Sequence, residues 1–285
     1  MTYARTSTRP CGPHSAESAV HLVVDDNVVH AATGAVPLEG RSDPLVVLLH
    51  GSGMDRSVWS HQTRFLAHHG FRAVAVDLPG HGRSEGPALD SIAAISDWVA
   101  HLSTALGGPA HLVGHSMGAL VALDAAARHH DAVASAVLLG IAAAMPVHPD
   151  LQAAADIDDP KAAALITAWA HGPRQHIGLN PTPGLWMMGG VTAMLETSPP
   201  GVLATDLAAC AGYGDAPAAA AAVSCPVTLV LGSQDRMTPR RAARALEEAF
   251  NEPPGVVELA NSGHMLMLEE PGAVRQAILA HLAAC

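Results

Sequence analysis

The sequence predicts an α/β fold in which a mostly parallel, eight-stranded sheet is flanked by helices and interrupted by an inserted helical cap. Three observations lead there. Short apolar runs rich in Val, Leu and Ala recur along the chain, most of them followed by turn residues and a helical pattern, which is the rhythm of parallel strands joined by crossover helices. That rhythm stops between Ile141 and Ser224, where Ala-rich helical segments are separated by Pro and Gly. A Gly-x-Ser-x-Gly sequence, Gly114 to Gly118, sits between an apolar run and an Ala-rich stretch, the strand-to-helix setting of a nucleophile elbow.

Taken in order, Met1 to Ala19 mix Arg, Pro, Ser and Gly without a continuous apolar stretch, which predicts a flexible tail and lacks the apolar core of a secretory signal. From His21 to Ala32 two apolar runs flank Asp25-Asp26-Asn27, residues that tolerate tight turns, so a β-hairpin at the sheet edge is expected. Strands follow at Leu45–Leu49, Ala73–Val76, Leu112–Val113, Ala136–Leu139 and Val227–Leu231, apolar enough for burial on both faces. A last strand, Val256–Leu259, precedes a loop and a closing helix from Pro271 to Ala284. Within the insertion, helices are expected at Pro160–Ala170, Gly184–Glu196 and Pro200–Ala211. The expected division is a core of 20–141 and 225–285 with a cap of 142–224.

Composition narrows the function classes. Half of the 285 residues are apolar (49%) and 14% are charged, the profile of a packed globular chain. The formal charge of −11 comes with no basic block, which disfavours nucleic acid and anionic membranes as partners. No run approaches the roughly 20 apolar residues of a membrane-spanning helix. Cys11, Cys210, Cys225 and Cys285 form no CxxC pair, so reduced thiols in a cytoplasmic protein are expected. His111 and His115 are four apart, a helical zinc spacing, but they fall in a strand pattern that separates them by about 13 Å, so no metal is expected.

The chemistry converges on three side chains. A strand turning directly into a helix would push Ser116 into a cleft, with Gly114 and Gly118 permitting the close approach. A neutral hydroxyl needs a base, and His264, in Asn261-Ser262-Gly263-His264-Met265 after the last strand, is the candidate. Asp235, past the strand that begins at Pro226, supplies a carboxylate to hold that histidine in one tautomer. The order Ser, Asp, His is the one expected for this fold, and the other acid position, after Leu139, carries Gly140 and Ile141. Backbone amides of Met117 and of the His50-Gly51-Ser52-Gly53 loop are expected to form an oxyanion hole, Ser52 first and Gly53 as the alternative. Trp169, Trp186, Met187 and Met265 are the candidate substrate contacts, with Met188 and Met194 adding to an apolar lid.

Together these motifs, with Asp77-Leu78-Pro79-Gly80-His81-Gly82-Arg83-Ser84, resemble the α/β-hydrolase superfamily, in particular its bacterial esterases, enol-lactonases and cofactor-free haloperoxidase-like perhydrolases. The resemblance runs from about His21 to the C-terminus. It implies that the Asp77 to Ser84 segment is structural, that a cap over the site selects substrate, and that a serine nucleophile argues against dehalogenase and epoxide hydrolase chemistry. The expected activity is hydrolysis of a carboxylic ester or activated acyl group, without cofactor, on a small molecule, by a monomer or homodimer. Carbon–carbon bond hydrolysis, lactone opening and perhydrolysis use the same residues and stay open, as does a receptor without turnover.

Overall fold

The computed structural model describes residues 19–179, 181 and 185–285 of the chain. The tail expected at 1–19 lies outside the described residues up to residue 18, as does Gly184, the expected start of the second cap helix.

Eight strands form one sheet: β1 (Ala19–Val24), β2 (Asn27–Ala32), β3 (Leu45–Leu49), β4 (Arg72–Val76), β5 (Ala110–His115), β6 (Val133–Leu139), β7 (Val227–Gly232) and β8 (Gly255–Leu259). Their spatial order is β1-β2-β4-β3-β5-β6-β7-β8. The expected hairpin, β1 and β2, forms the antiparallel edge, and β2 joins β4 antiparallel. All pairings from β4 to β8 are parallel. β5 is longer than the two residues its apolar run marks, because Gly114 and His115 continue the ladder opposite Leu138 and Leu139. The parallel register places the ends of β3, β5, β6 and β7 along one edge, so the loops at 50–53, 116, 140 and 233–238 open onto common ground.

Every residue of β3 is buried, and its side chains alternate between two cores. Leu45, Val47 and Leu49 enter one, Val46 and Leu48 the other. Each such side chain contributes about 1.5–3 kcal/mol by burial. The flanking helices in the first half are α1 (Ser60–Ala67), α2 (Ile92–Ala105) and α3 (Met117–Arg128). α3 is buried all round from Met117 to Ala127, which explains its Ala, Leu and Val on every face.

Between β6 and β7 lie α4 (Pro149–Ala155), α5 (Lys161–Ala170), α6 (Pro173–His176), α7 (Met187–Glu196), α8 (Val202–Gly212) and α9 (Ala216–Ala222). The chain closes with α10 (Arg240–Glu247), α11 (Leu266–Glu269) and α12 (Pro271–Ala284). α8 begins two residues later than the sequence predicts because Gly201 takes φ +77°, outside the helical region. The alanine run at 218–222 is helical, and as α9 it packs on α3 and α10, beside the sheet. No helix among the described residues is long and apolar enough to cross a membrane.

Candidate active site

Ser116 follows β5 and caps α3 with φ +54° and ψ −115°, a conformation that costs about 1–3 kcal/mol in a non-glycine residue. The surroundings hold it there. Its N–H donates to Leu139 O at 2.9 Å, and its carbonyl accepts from the amides of Ala119 (2.9 Å) and Leu120 (3.2 Å). A Cβ at Gly114 would overlap the Gly118 carbonyl, and one at Gly118 would overlap the carbonyls of Leu49 and His50. Both glycines are therefore needed for the strand and helix to meet at the turn.

His264 Nδ1 donates to Asp235 Oδ2 at 2.7 Å, with both side chains buried. The same carboxylate oxygen accepts from Thr238 Oγ1 at 2.7 Å, while Oδ1 accepts the amides of Met237 (2.8 Å) and Thr238 (2.9 Å). Burial alone would raise the Asp235 pKa, but the charge and hydrogen bond of His264 and the two Thr238 bonds outweigh it and hold the carboxyl at about 2. With its proton on Nδ1, His264 leaves a lone pair on Nε2, which is buried and has no partner among the described residues. Ser116 Oγ and His264 Nε2 do not hydrogen-bond to each other, and such contacts commonly tighten only with substrate.

The His264 backbone is clamped from two sides. His115 Nε2 donates to His264 O (2.9 Å), and Ala170 O, at the end of α5, accepts the amides of His264 (2.7 Å) and Met265 (3.2 Å). Nearby, Glu269 Oε2 accepts from Gly172 N (3.0 Å) and Gly263 N (3.1 Å). Burial keeps the Glu269 pKa raised in spite of these amides. Burial, with the adjacent His264, lowers His115 to about 3, so its ring is neutral.

Of the two alternatives for the second oxyanion donor, Gly53 is already engaged: its N–H donates to Asp206 Oδ2 at 2.8 Å. The Ser52 amide has no hydrogen-bond partner among the described residues, in a turn closed by Met54 N to Gly51 O (3.2 Å). Met117 opens α3, where an amide has no carbonyl within its own helix to bond. Asp206, on α8, also accepts from His81 Nε2 at 2.8 Å, and His81 Nδ1 donates to Pro79 O at 2.9 Å. Both ring nitrogens of His81 face acceptors, an arrangement that favours the imidazolium. Burial opposes that charge, but the Asp206 bond and charge prevail and His81 titrates above its ordinary value.

Ser116 and His264 line one cavity of about 310 Å³, together with Ser52 and Trp169. The size suits a small ligand. Its wall is largely apolar, from Met54, Leu151, Ile166, Leu207 and Met237. Three expected contacts do not line it. Trp186 is 78% exposed, its ring lying over Gly189 in the first turn of α7; Met187 is buried but does not line the cavity; and Met265 is fully buried in the core.

A family model described as the alpha/beta hydrolase family matches residues 46–277. The chain belongs to the alpha/beta hydrolase family. A pimeloyl-[acyl-carrier protein] methyl ester esterase of Aromatoleum aromaticum is 32% identical over 244 residues, covering 80% of this chain and 94% of that protein. An (E)-2-((N-methylformamido)methylene)succinate hydrolase of Acinetobacter baylyi is 28% identical over 261 residues, covering 86% and 92%. The crystal structure of an enol-lactonase from Burkholderia xenovorans superimposes with a TM-score of 0.81 at 22% identity, covering 93% of this chain and all of that one.

Several residues in and around the site of this alpha/beta hydrolase carry no signal in the sequence. Thr238 follows Asp235 by three, a spacing readable as a local turn but not as a bond behind a histidine 26 residues away. Asp206 and Glu269 find their partners only through the fold. Arg236 stands next to Asp235 and lines the cavity, yet as one of many surface arginines it offered nothing to distinguish it.

Proposed function

We propose that this alpha/beta hydrolase cleaves carboxylic esters through an acyl-enzyme on Ser116. The observation that carries the reading is a serine at positive φ sharing a cavity with a histidine whose Nδ1 is bonded to a buried aspartate and whose Nε2 is buried without a partner. Ser116 Oγ attacks the ester carbonyl carbon while His264 Nε2 takes its proton. The carbonyl oxygen, now anionic, accepts from the amides of Met117 and Ser52, each such donor contributing roughly a hundredfold or more in rate. Collapse breaks the bond to the alcohol oxygen, which leaves with the proton from His264. Water, deprotonated by the same nitrogen, then releases the acid and restores Ser116. Asp235 stays ionised and stabilises the imidazolium.

The helices of 142–224 act as a cap that selects the acyl group, since Leu151, Ile166, Trp169 and Leu207 all come from them. Each CH₂ buried against them contributes about 0.8 kcal/mol. The Aromatoleum relative is by name a methyl ester esterase, which supports ester over other acyl chemistry. The test is hydrolysis of p-nitrophenyl esters from acetate to decanoate by wild type and by Ser116→Ala. A loss of at least about a thousandfold in kcat is expected. Equal turnover by the variant, or no ester turned over by wild type, overturns the reading.

A further inference from the structure

One charged side chain in the cavity has no task in that mechanism. Among the lining residues Arg236 is the one Lys, Arg, Asp or Glu, and it makes no hydrogen bond or ion pair among the described residues. Its neighbour Asp235 does not neutralise it, because both Asp235 oxygens are turned inward onto Thr238, Met237 and His264. Ser116, His264 and apolar lining residues such as Leu151 are buried, whereas Arg236 and His148 are exposed, which sets the cation on the solvent side of the cavity. His148 Nδ1 accepts the Asp150 amide at 3.2 Å, so a neutral His148 ring carries its proton on Nε2 and adds a second donor there. In a chain of formal charge −11, an isolated cation at the mouth of the cavity is where an anionic ligand is drawn in.

Resting on the ester reading above, we propose that the substrate is an ester bearing a carboxylate, such as the half-ester of a short aliphatic dicarboxylic acid, with the carboxylate held by the Arg236 guanidinium. Arg236 forms no covalent bond. It stays charged at any working pH and offers a planar pair of donors that matches a carboxylate. Water and the half-ester yield the dicarboxylate, the alcohol and a proton released to solvent.

The experiment compares kcat/KM for monomethyl and dimethyl succinate, glutarate and adipate, and for O-acetyl lactate, which carries its carboxylate on the alcohol side. Wild type prefers one set of carboxylate esters over the neutral diesters. Arg236→Gln shrinks that preference by up to about fivefold, the size of a solvent-screened ion pair, and Arg236→Glu inverts it. Arg241→Gln, an exposed cation on α10 outside the cavity, leaves the preference as it was. Raising salt toward 1 M weakens the wild-type preference. A wild type that favours diesters, or a preference identical in Arg236→Gln, overturns the assignment. Calorimetric titration with glutarate separates this from failure of the ester reading, since it needs no turnover. Weaker binding by Arg236→Gln supports the site even if no ester is cleaved, and equal binding sinks it even if Ser116 proves to be the nucleophile.

Discussion

Replacing Asp206 with alanine removes one half of a buried ion pair and the acceptor of the Gly53 amide. Asp206 is 0% exposed and His81 2%, so solvent screening does not discount the effect. Breaking such a pair costs about 3–5 kcal/mol. At roughly 2–4 °C per kcal/mol for a domain of this size, the melting temperature should fall by about 6–20 °C. The loss should depend on pH with a definite sign. In wild type the His81 pKa is raised above 6.5, so its contribution is complete below that value and fades as pH rises through the folded pKa. Without the carboxylate, burial disfavours the imidazolium, and folding must then expel a proton below pH 6.5. The gap between wild type and variant should therefore be widest near pH 5.5 and narrow toward pH 9. Calorimetry or dye-monitored melting across that range measures it. A fall under 2 °C, or a gap that does not change with pH, would refute the ion-pair reasoning.

Thr238→Val deletes the hydroxyl bonded to Asp235 Oδ2. A hydrogen bond to a charged group contributes about 1.5–3 kcal/mol, so kcat should drop by roughly ten- to a hundredfold with KM little altered, as initial-rate kinetics on the best ester would show. For Glu269, whose pKa burial raises, wild-type stability from this group is complete below about pH 4.5 and fades as pH rises through the folded value. Glu269→Gln cannot ionise, so its melting temperature should gain on wild type as pH increases from 4.5 to 8; a constant difference across a melting series would contradict this.

What could be read before folding was local. The elbow is a contiguous pentapeptide between two kinds of apolar pattern, and the strands at Leu45–Leu49 and Val227–Leu231 are apolar runs bounded by turn residues. Ser116, Asp235 and His264 were marked by their places after strands, and the fold brings Ser116 and His264 to one cavity with Asp235 behind. What stayed illegible was direction. Trp186 and Trp169 look alike as apolar bulk, yet one lies over a glycine in the first turn of α7 in solvent and the other lines the cavity. Asp206 reads as an ordinary helical acid, because its partners Gly53 and His81 are 153 and 125 residues away.

The seam at the end of α5 bears on how such an enzyme can be re-engineered. Ala170 and Gly172 are hydrogen-bonded to the backbone or carboxylate groups that frame His264, so the helices between β6 and β7 cannot swing away at that point without carrying His264, the proposed base, along. A chimera that replaces the segment 142–224 should therefore keep Gly172 and Glu269 as a matched pair. Without that pair, a foreign segment would alter the cavity wall and displace His264 in the same step, and the two faults would be inseparable in a screen for new specificity.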